Sequence, residues 1–193
     1  MSGGPLDHAY QLEQLHFHWG AEDSRGSEHT VDGRRFPMEM HLVHHRHHYH
    51  KHKENDEEAI AVLGVFFEIS EVVTKYHIQK DIRLKILTTL SIHIYLQDDN
   101  EELQPLFDKL HKVKEFCSEH KHHYRQFSVA ALLASLDTAT FASYTGSFTT
   151  PPCSEQVQWV TFLRPLTVSS SQLAQLRSGQ GHSWHSVPVH TLL

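Results

Sequence analysis

The chain has 193 residues, 39% of them hydrophobic and 21% charged, which fits one globular domain with a sizeable core. Seventeen Lys and Arg against 23 Asp and Glu give a net charge of −6, which argues against nucleic acid or an acidic membrane as partner. No apolar run approaches the roughly 20 residues of a membrane span, and the start lacks the apolar core of a signal peptide. A soluble, cytoplasmic protein is therefore expected.

Histidine is the unusual component, with 20 residues. It is the commonest metal ligand, so metal binding is the first hypothesis. Cys117 and Cys153 are too few for a disulfide framework and lack the C-x-x-C spacing of structural zinc sites. One bridge between them and two free thiols both stay open.

Two segments near the N-terminus alternate apolar and polar residues and predict strands, at 9–19 and 36–44. In the second strand, His41 shares a face with Glu39 and Val43. In the first strand one face carries Tyr10, Leu12, Gln14, His16 and His18.

Further along the chain the elements are less uniform. An apolar run predicts a strand buried on both faces at 59–69, whereas 85–96 fits either a strand or a buried helix segment. The remaining predictions are a helix at 100–120, a short apolar run at 129–136, a loop at 141–154, a strand at 156–163 and a serine-capped helix at 169–177.

His16 and His18 lie two residues apart on one strand, so both imidazoles can reach the same metal ion. His41 on the second strand is the best third ligand, and three neutral ligands would leave one zinc position for water. The plain alternative is coincidence in a histidine-rich chain. The denser cluster at 44–52 is interleaved with Arg and Lys and predicts a solvated loop, or at most a weak metal patch.

Four sequence blocks carry a more specific signal than the histidines alone. They are Gln-Leu-His-Phe-His-Trp-Gly at 14–20, Gly-Ser-Glu-His-Thr-Val-Asp-Gly at 26–33, Met-Glu-Met-His-Leu-Val-His at 38–44 and Gly-Ser-Phe-Thr-Thr-Pro-Pro-Cys at 146–153. Together the blocks resemble the α-class carbonic anhydrases. The resemblance covers about 3–68 and 98–177, and it implies a mainly β (α+β) fold with a large, twisted, mostly antiparallel sheet and a few peripheral helices.

The resemblance also implies a reaction, the reversible hydration of carbon dioxide to bicarbonate and a proton by hydroxide on one zinc ion. Thr149 would accept a hydrogen bond from that hydroxide and donate its own to Glu28. The implied zinc ligands are His16, His18 and His41. The residues implied to orient or support them are Gln14, Glu39 and His29. The implied substrate pocket consists of Val43, Val62, Phe148, Thr150, Val157 and Trp159.

The chain also departs from the family pattern. Several dozen residues that precede the first zinc strand in the family are absent, and with them the histidine that shuttles protons, so no residue here inherits that role. The same resemblance makes 70–96 an insertion within a partial domain at 1–177, followed by a loose tail at 178–193. A truncated isoform is one hypothesis, and its full-length parent could be secreted or membrane-anchored. Phe148 stands where leucine is commonest, and the usual partner of Cys153 lies in the absent part, which implies a free thiol.

Three functions remain open on the sequence. The first is a zinc lyase that hydrates carbon dioxide, and the second is a catalytically weak or silent scaffold of the same fold. The third is a metal buffer that uses the histidines at 44–52. The oligomeric state stays unknown.

Overall fold

The computed structural model describes residues 1–46, 60–70, 72–78, 90–96, 99–108 and 127–178. Its strands are β1 (Tyr10–Trp19), β2 (Met38–Arg46), β3 (Ile60–Ile69), β4 (Val72–Ile78), β5 (Leu90–Leu96), β6 (Phe141–Ser147) and β7 (Glu155–Val168). Its helices are α1 (Gln104–Phe107), α2 (Val129–Leu132), which continues into a 3-10 turn (Leu133–Ser135), and α3 (Ser170–Ser178). Among these described segments, no helix has the length and apolar character that crossing a membrane requires.

Five strands form one sheet in the order β1-β2-β3-β7-β6. Neighbours run antiparallel except β3 and β7, which are parallel. β4 and β5 form a separate antiparallel pair. The predicted mainly β fold, with a mostly antiparallel sheet and few helices, is confirmed.

The two faces of the large sheet carry different side chains, because successive residues of a strand point to opposite faces. Leu15 and Phe17 of β1 pack into the main core, while the histidines between and after them lie on the other face. The main core also includes Met38, Met40, Leu42, Leu63, Val65, Phe67, Val160, Phe162, Leu173 and Leu176. The histidine face has its own small apolar cluster of Val43, Val62, Val157 and Trp159.

A β-bulge in β1 changes one predicted face. Leu12 pairs with His44 and Gln14 with Val43, so one extra residue lies between them on β1. Leu12 consequently packs against the main core rather than beside the histidines. The predicted common face is therefore wrong for Leu12 and correct from Gln14 onward.

Other predictions have mixed outcomes. β3 is buried along most of its length, as predicted, and the strand alternative at 85–96 is the correct one for Leu90–Leu96. Within the helix predicted at 100–120, the structure describes only α1, and 109–120 lie outside the described residues.

The segment predicted as a loop at 141–154 is wrong in its first half. Phe141–Ser147 forms β6, which pairs antiparallel with β7 and places Tyr144 opposite Trp159. Most of β6 is exposed, and its sequence therefore lacks the alternation of buried apolar residues that would have indicated a strand.

The serine cap predicted for the last helix is confirmed. The Ser169 hydroxyl accepts a hydrogen bond from the Gln172 backbone N–H at 3.0 Å. The Gln172 side chain accepts in return from the Ser169 N–H at 3.3 Å, which completes a capping box. The cap fixes the start of α3, and Leu173 and Leu176 of this helix pack into the main core.

Gly64 lies at a closely packed position of β3. It pairs with His41 on one side and Thr161 on the other. A Cβ at this position would lie 3.1 Å from the Thr161 hydroxyl and 3.3 Å from Glu39 Oε1. Glycine therefore leaves the space that the buried Glu39 carboxylate occupies.

The solvated loop predicted at 44–52 is wrong at its start. Residues 44–46 belong to β2, and His44 is only 5% exposed. Its Nδ1–H donates to the Leu42 carbonyl at 2.9 Å. Burial lowers the pKa of His44 to about 4, so the imidazole is neutral at physiological pH. Residues 47–52 lie outside the described residues.

Gly64→Ala should destabilise the fold by about 1–3 kcal/mol, because the new methyl group presses on two buried side chains. Thr161→Ala removes the nearest atoms, and the Thr161 hydroxyl lacks a hydrogen-bond partner in the described structure. The double variant should therefore recover much of the loss in urea denaturation. Purely additive effects of the two substitutions would contradict this packing.

Lowering the pH should destabilise the protein partly through His44. Its folded pKa lies below the unfolded value of about 6.5, so the unfolded chain takes up the proton first and stability is lost as pH falls below that value. At pH 5.5 the loss amounts to about 1 kcal/mol for one such imidazole. His44→Gln should lose less unfolding free energy than the parent between pH 7.5 and 5.5. Equal losses would refute this assignment.

Candidate metal centre

Three histidines meet on the polar face of the sheet. His16 and His18 come from β1, and His41 lies directly opposite His16 on β2. One ring nitrogen from each histidine lies within 4.8 Å of the other two. The strand period of two and the antiparallel register produce this meeting without any loop.

The free nitrogen of each ring follows from the bond made by the other. His16 Nδ1 lies 2.9 Å from Gln14 Oε1, which leaves Nε2 for a ligand. His41 Nε2 lies 2.7 Å from Glu39 Oε1, which leaves Nδ1. Gln14 and Glu39, predicted to orient these two histidines, therefore lie where that role requires.

Glu39 is a fully buried carboxylate with four donors. Its Oε2 accepts from the backbone N–H groups of Glu28 and His29 at 2.8 and 2.9 Å. Its Oε1 accepts from His29 Nδ1 at 2.5 Å as well as from His41. Burial alone would raise the pKa of Glu39, but the hydrogen bonds from His29 and His41 outweigh it and hold the pKa well below its usual range.

The imidazoles of β1 are held in their neutral form. Burial, reinforced by the neighbouring His41, lowers the pKa of His16 to about 4 and that of His18 to about 3. Neutral imidazole is the form that binds a metal ion, so these ligands need lose no proton at neutral pH.

His18 has a different partner from the other two. Its Nδ1 faces Glu28 Oε1 at 3.3 Å, and Glu28 Oε2 lies 3.9 Å from His41 Nδ1. Within the described residues, His18 Nε2 and Glu28 Oε2 are both buried without a hydrogen-bond partner. A buried ring nitrogen without a partner is costly unless a cation satisfies it, so His18 Nε2 together with the free nitrogens of His16 and His41 fits a zinc ion bound by three imidazoles.

A cavity of about 270 Å³ lies beside the histidines. Val157 is buried next to it in the apolar cluster of the same face. The cavity is lined by Gln14, His16, His41, Val43, Val62, Phe148, Thr149, Thr150, Pro151, Pro152 and Trp159. The predicted substrate residues are thus brought together, with the valines and Trp159 buried and the two threonines exposed.

One implied contact is absent. Among the described residues no hydrogen bond joins Thr149 to Glu28, whose carboxylate faces His18 and His41 instead. His29, expected beside Glu28, lies next to it in the chain but bonds to Glu39. Cys153 is a free, exposed thiol, and Cys117 lies outside the described residues.

Tyr144 is a site residue that the sequence reasoning missed. Its hydroxyl lies 2.5 Å from His29 Nε2, and its ring stacks on Trp159 with centroids 6.2 Å apart. Burial, with the charges of Glu39 and Glu28, raises the pKa of Tyr144 to about 12. Reading 141–147 as a strand paired with 155–163 would have placed Tyr144 opposite Trp159.

Comparison with known proteins identifies the family of this chain. Human carbonic anhydrase 3 is 35% identical over 98% of this chain, mouse carbonic anhydrase 3 is 36% identical over 98%, and human carbonic anhydrase 5B, mitochondrial, is 36% identical over 92%. The chain spans 62% of the length of the first two and 47% of the third. A sequence model described as eukaryotic-type carbonic anhydrase matches residues 1–190, which confirms the resemblance. The chain therefore belongs to the carbonic anhydrase family.

Proposed function

We propose that this chain holds one zinc ion and hydrates carbon dioxide reversibly to bicarbonate and a proton. The observation that carries the proposal is the set of three imidazoles with one nitrogen each within 4.8 Å of the others. The second nitrogen of each ring faces a partner on Gln14, Glu39 or Glu28. When bound, zinc supplies a Lewis acid that makes water a nucleophile near neutral pH.

The protein residues would keep this ion strongly acidic. Three neutral imidazoles leave the full charge on the metal, whereas a carboxylate ligand would reduce it. In the proposed site, Glu39 does not bind the metal ion itself but accepts a hydrogen bond from the Nε2–H of its ligand His41. The ring is thereby oriented without a negative ligand on the metal.

The cavity wall suits an apolar substrate. Val43, Val62 and Trp159 are at most 2% exposed and lie on the same face as the histidines. Carbon dioxide is apolar and small, so a wall of apolar side chains next to the nucleophile would hold it without hydrogen bonds. Thr149 and Thr150 form the polar rim of the cavity, where a bicarbonate product could accept hydrogen bonds.

A catalytically silent scaffold that keeps zinc is the second candidate. It is favoured by Thr149, which is exposed and, among the described residues, makes no hydrogen bond to Glu28 that would fix the direction of its hydroxyl. The partial domain at 1–177, the insertion at 70–96 and a cytoplasmic location stay predictions.

His16→Ala should remove the bound zinc and carbon dioxide hydration together. Losing a ligand should weaken zinc binding by more than the 10–100-fold that loss of an outer hydrogen-bond partner typically costs. The measurements are metal content per chain and stopped-flow hydration on folded protein.

The matched control is His45→Ala, on the same sheet but at the surface beside Glu13. It should keep one zinc per chain and full hydration. Zinc without hydration in the parent would favour the silent scaffold. Several weakly bound metals, unaffected by His16→Ala, would favour the histidine-rich buffer.

Phe148→Leu should increase hydration roughly 10-fold, because the phenyl ring would narrow the carbon dioxide pocket relative to leucine. Phe148 packs against the apolar cluster of the cavity, and small changes of side-chain size in such a pocket change the free energy of substrate recognition by about 1–3 kcal/mol. The control is Phe141→Leu, an identical change on the exposed face of β6. Equal hydration rates for Phe148→Leu and the parent, at equal zinc content, would refute a narrowed pocket.

A further inference from the structure

The edge strand β6 is connected to the metal centre through one side chain. Tyr144 reaches across Trp159, its partner on β7, to place its hydroxyl 2.5 Å from His29 Nε2. His29 in turn lies 2.5 Å from Glu39, which holds His41. An unbroken line of hydrogen bonds therefore runs from the sheet edge to a candidate zinc ligand.

When His29 is neutral, the protons along this line have one consistent arrangement. The Glu39 carboxylate only accepts, so the proton between it and His29 sits on His29 Nδ1. A neutral imidazole protonated at Nδ1 has a lone pair on Nε2. The Tyr144 hydroxyl must therefore donate to His29, and its raised pKa keeps that proton in place at neutral pH.

The Tyr144 bond holds the plane of the His29 ring. Glu39 alone sets the tautomer, because its carboxylate can only accept a hydrogen bond, whereas a hydroxyl can donate or accept. The bond at Nε2 holds the far side of the ring, so that Nδ1 points at Glu39 Oε1. If the ring turned, the carboxylate would shift, and the bond that orients His41 would shift with it.

We propose that Tyr144 is a positioning residue of the candidate metal centre, which holds the ring plane of His29 and, through Glu39, the orientation of His41. The proposal rests on the proposed zinc site but not on hydration activity. Tyr144 contacts none of the three candidate ligands and does not itself line the cavity. Its ring stacks on Trp159, which does line the cavity, so the contribution through His29 belongs to the hydroxyl and not to the ring.

Tyr144→Phe tests this bond while keeping the ring that stacks on Trp159. Chelator competition should show zinc binding weakened about 3–10-fold, somewhat less than loss of a direct partner of a ligand causes. In metal-free protein, ¹⁵N imidazole shifts should show His29 Nε2 losing its hydrogen bond while Nδ1 stays protonated. The thermal midpoint should change little.

The matched control is Thr145→Val, which removes a hydroxyl from the next residue of β6. Within the described part of the chain, this hydroxyl donates only to Gln158 Oε1, at 3.3 Å. Thr145→Val should leave both the zinc affinity and the His29 shifts unchanged. Equal weakening of zinc binding in both variants would assign the effect to the strand and overturn the proposal.

Unchanged zinc affinity and unchanged His29 shifts in Tyr144→Phe would also overturn it. A parent protein that binds no zinc through His16 would refute the proposed function instead. The nitrogen shifts of metal-free protein would still decide whether Tyr144 donates to His29 Nε2, so the two failures are distinguishable.

Discussion

The buried carboxylate of Glu39 is the interaction on which the rest of the site depends. A fully buried charge is costly unless donors surround it, and here two backbone N–H groups and two imidazoles do so. The same four bonds fix the segment at Glu28 and His29 to β2 and set the ring of His41. Gly64 supplies the space, since a side chain there would meet the carboxylate. Packing of the sheet and geometry of the metal centre are therefore a single constraint.

Much of this arrangement could be predicted from the residues. The alternation in β1 and β2 separates Leu15 and Phe17 from His16 and His18, and it places His41 on the face of Glu39. The prediction of the two faces succeeded because the side-chain period of two is a local property of a strand, and burial of one face enforces it. The resemblance then supplied the pairing of distant blocks, which no periodicity gives.

The errors came from features that local pattern does not encode. The bulge after Leu12 depends on the register with β2, and the burial of His44 depends on the strand continuing beyond the last apolar residue. β6 was missed because it is an exposed edge strand, whose residues carry no apolar alternation. Tyr144 was missed with it, since its importance arises only from a contact 115 residues away.

The position of Glu28 gives the centre its electrostatic balance. Its carboxylate lies near His18 and His41, while that of Glu39 bonds to the far side of His41. Two carboxylates thus surround three imidazoles without one of them lying in the ligand set. A divalent ion in this place would be balanced in charge by groups that are not bound to it, so its acidity would be retained. Because Glu28 faces the histidines, Thr149 would have to orient its hydroxyl by another contact or act without fixed orientation, and the second case favours the proposed weak or silent scaffold.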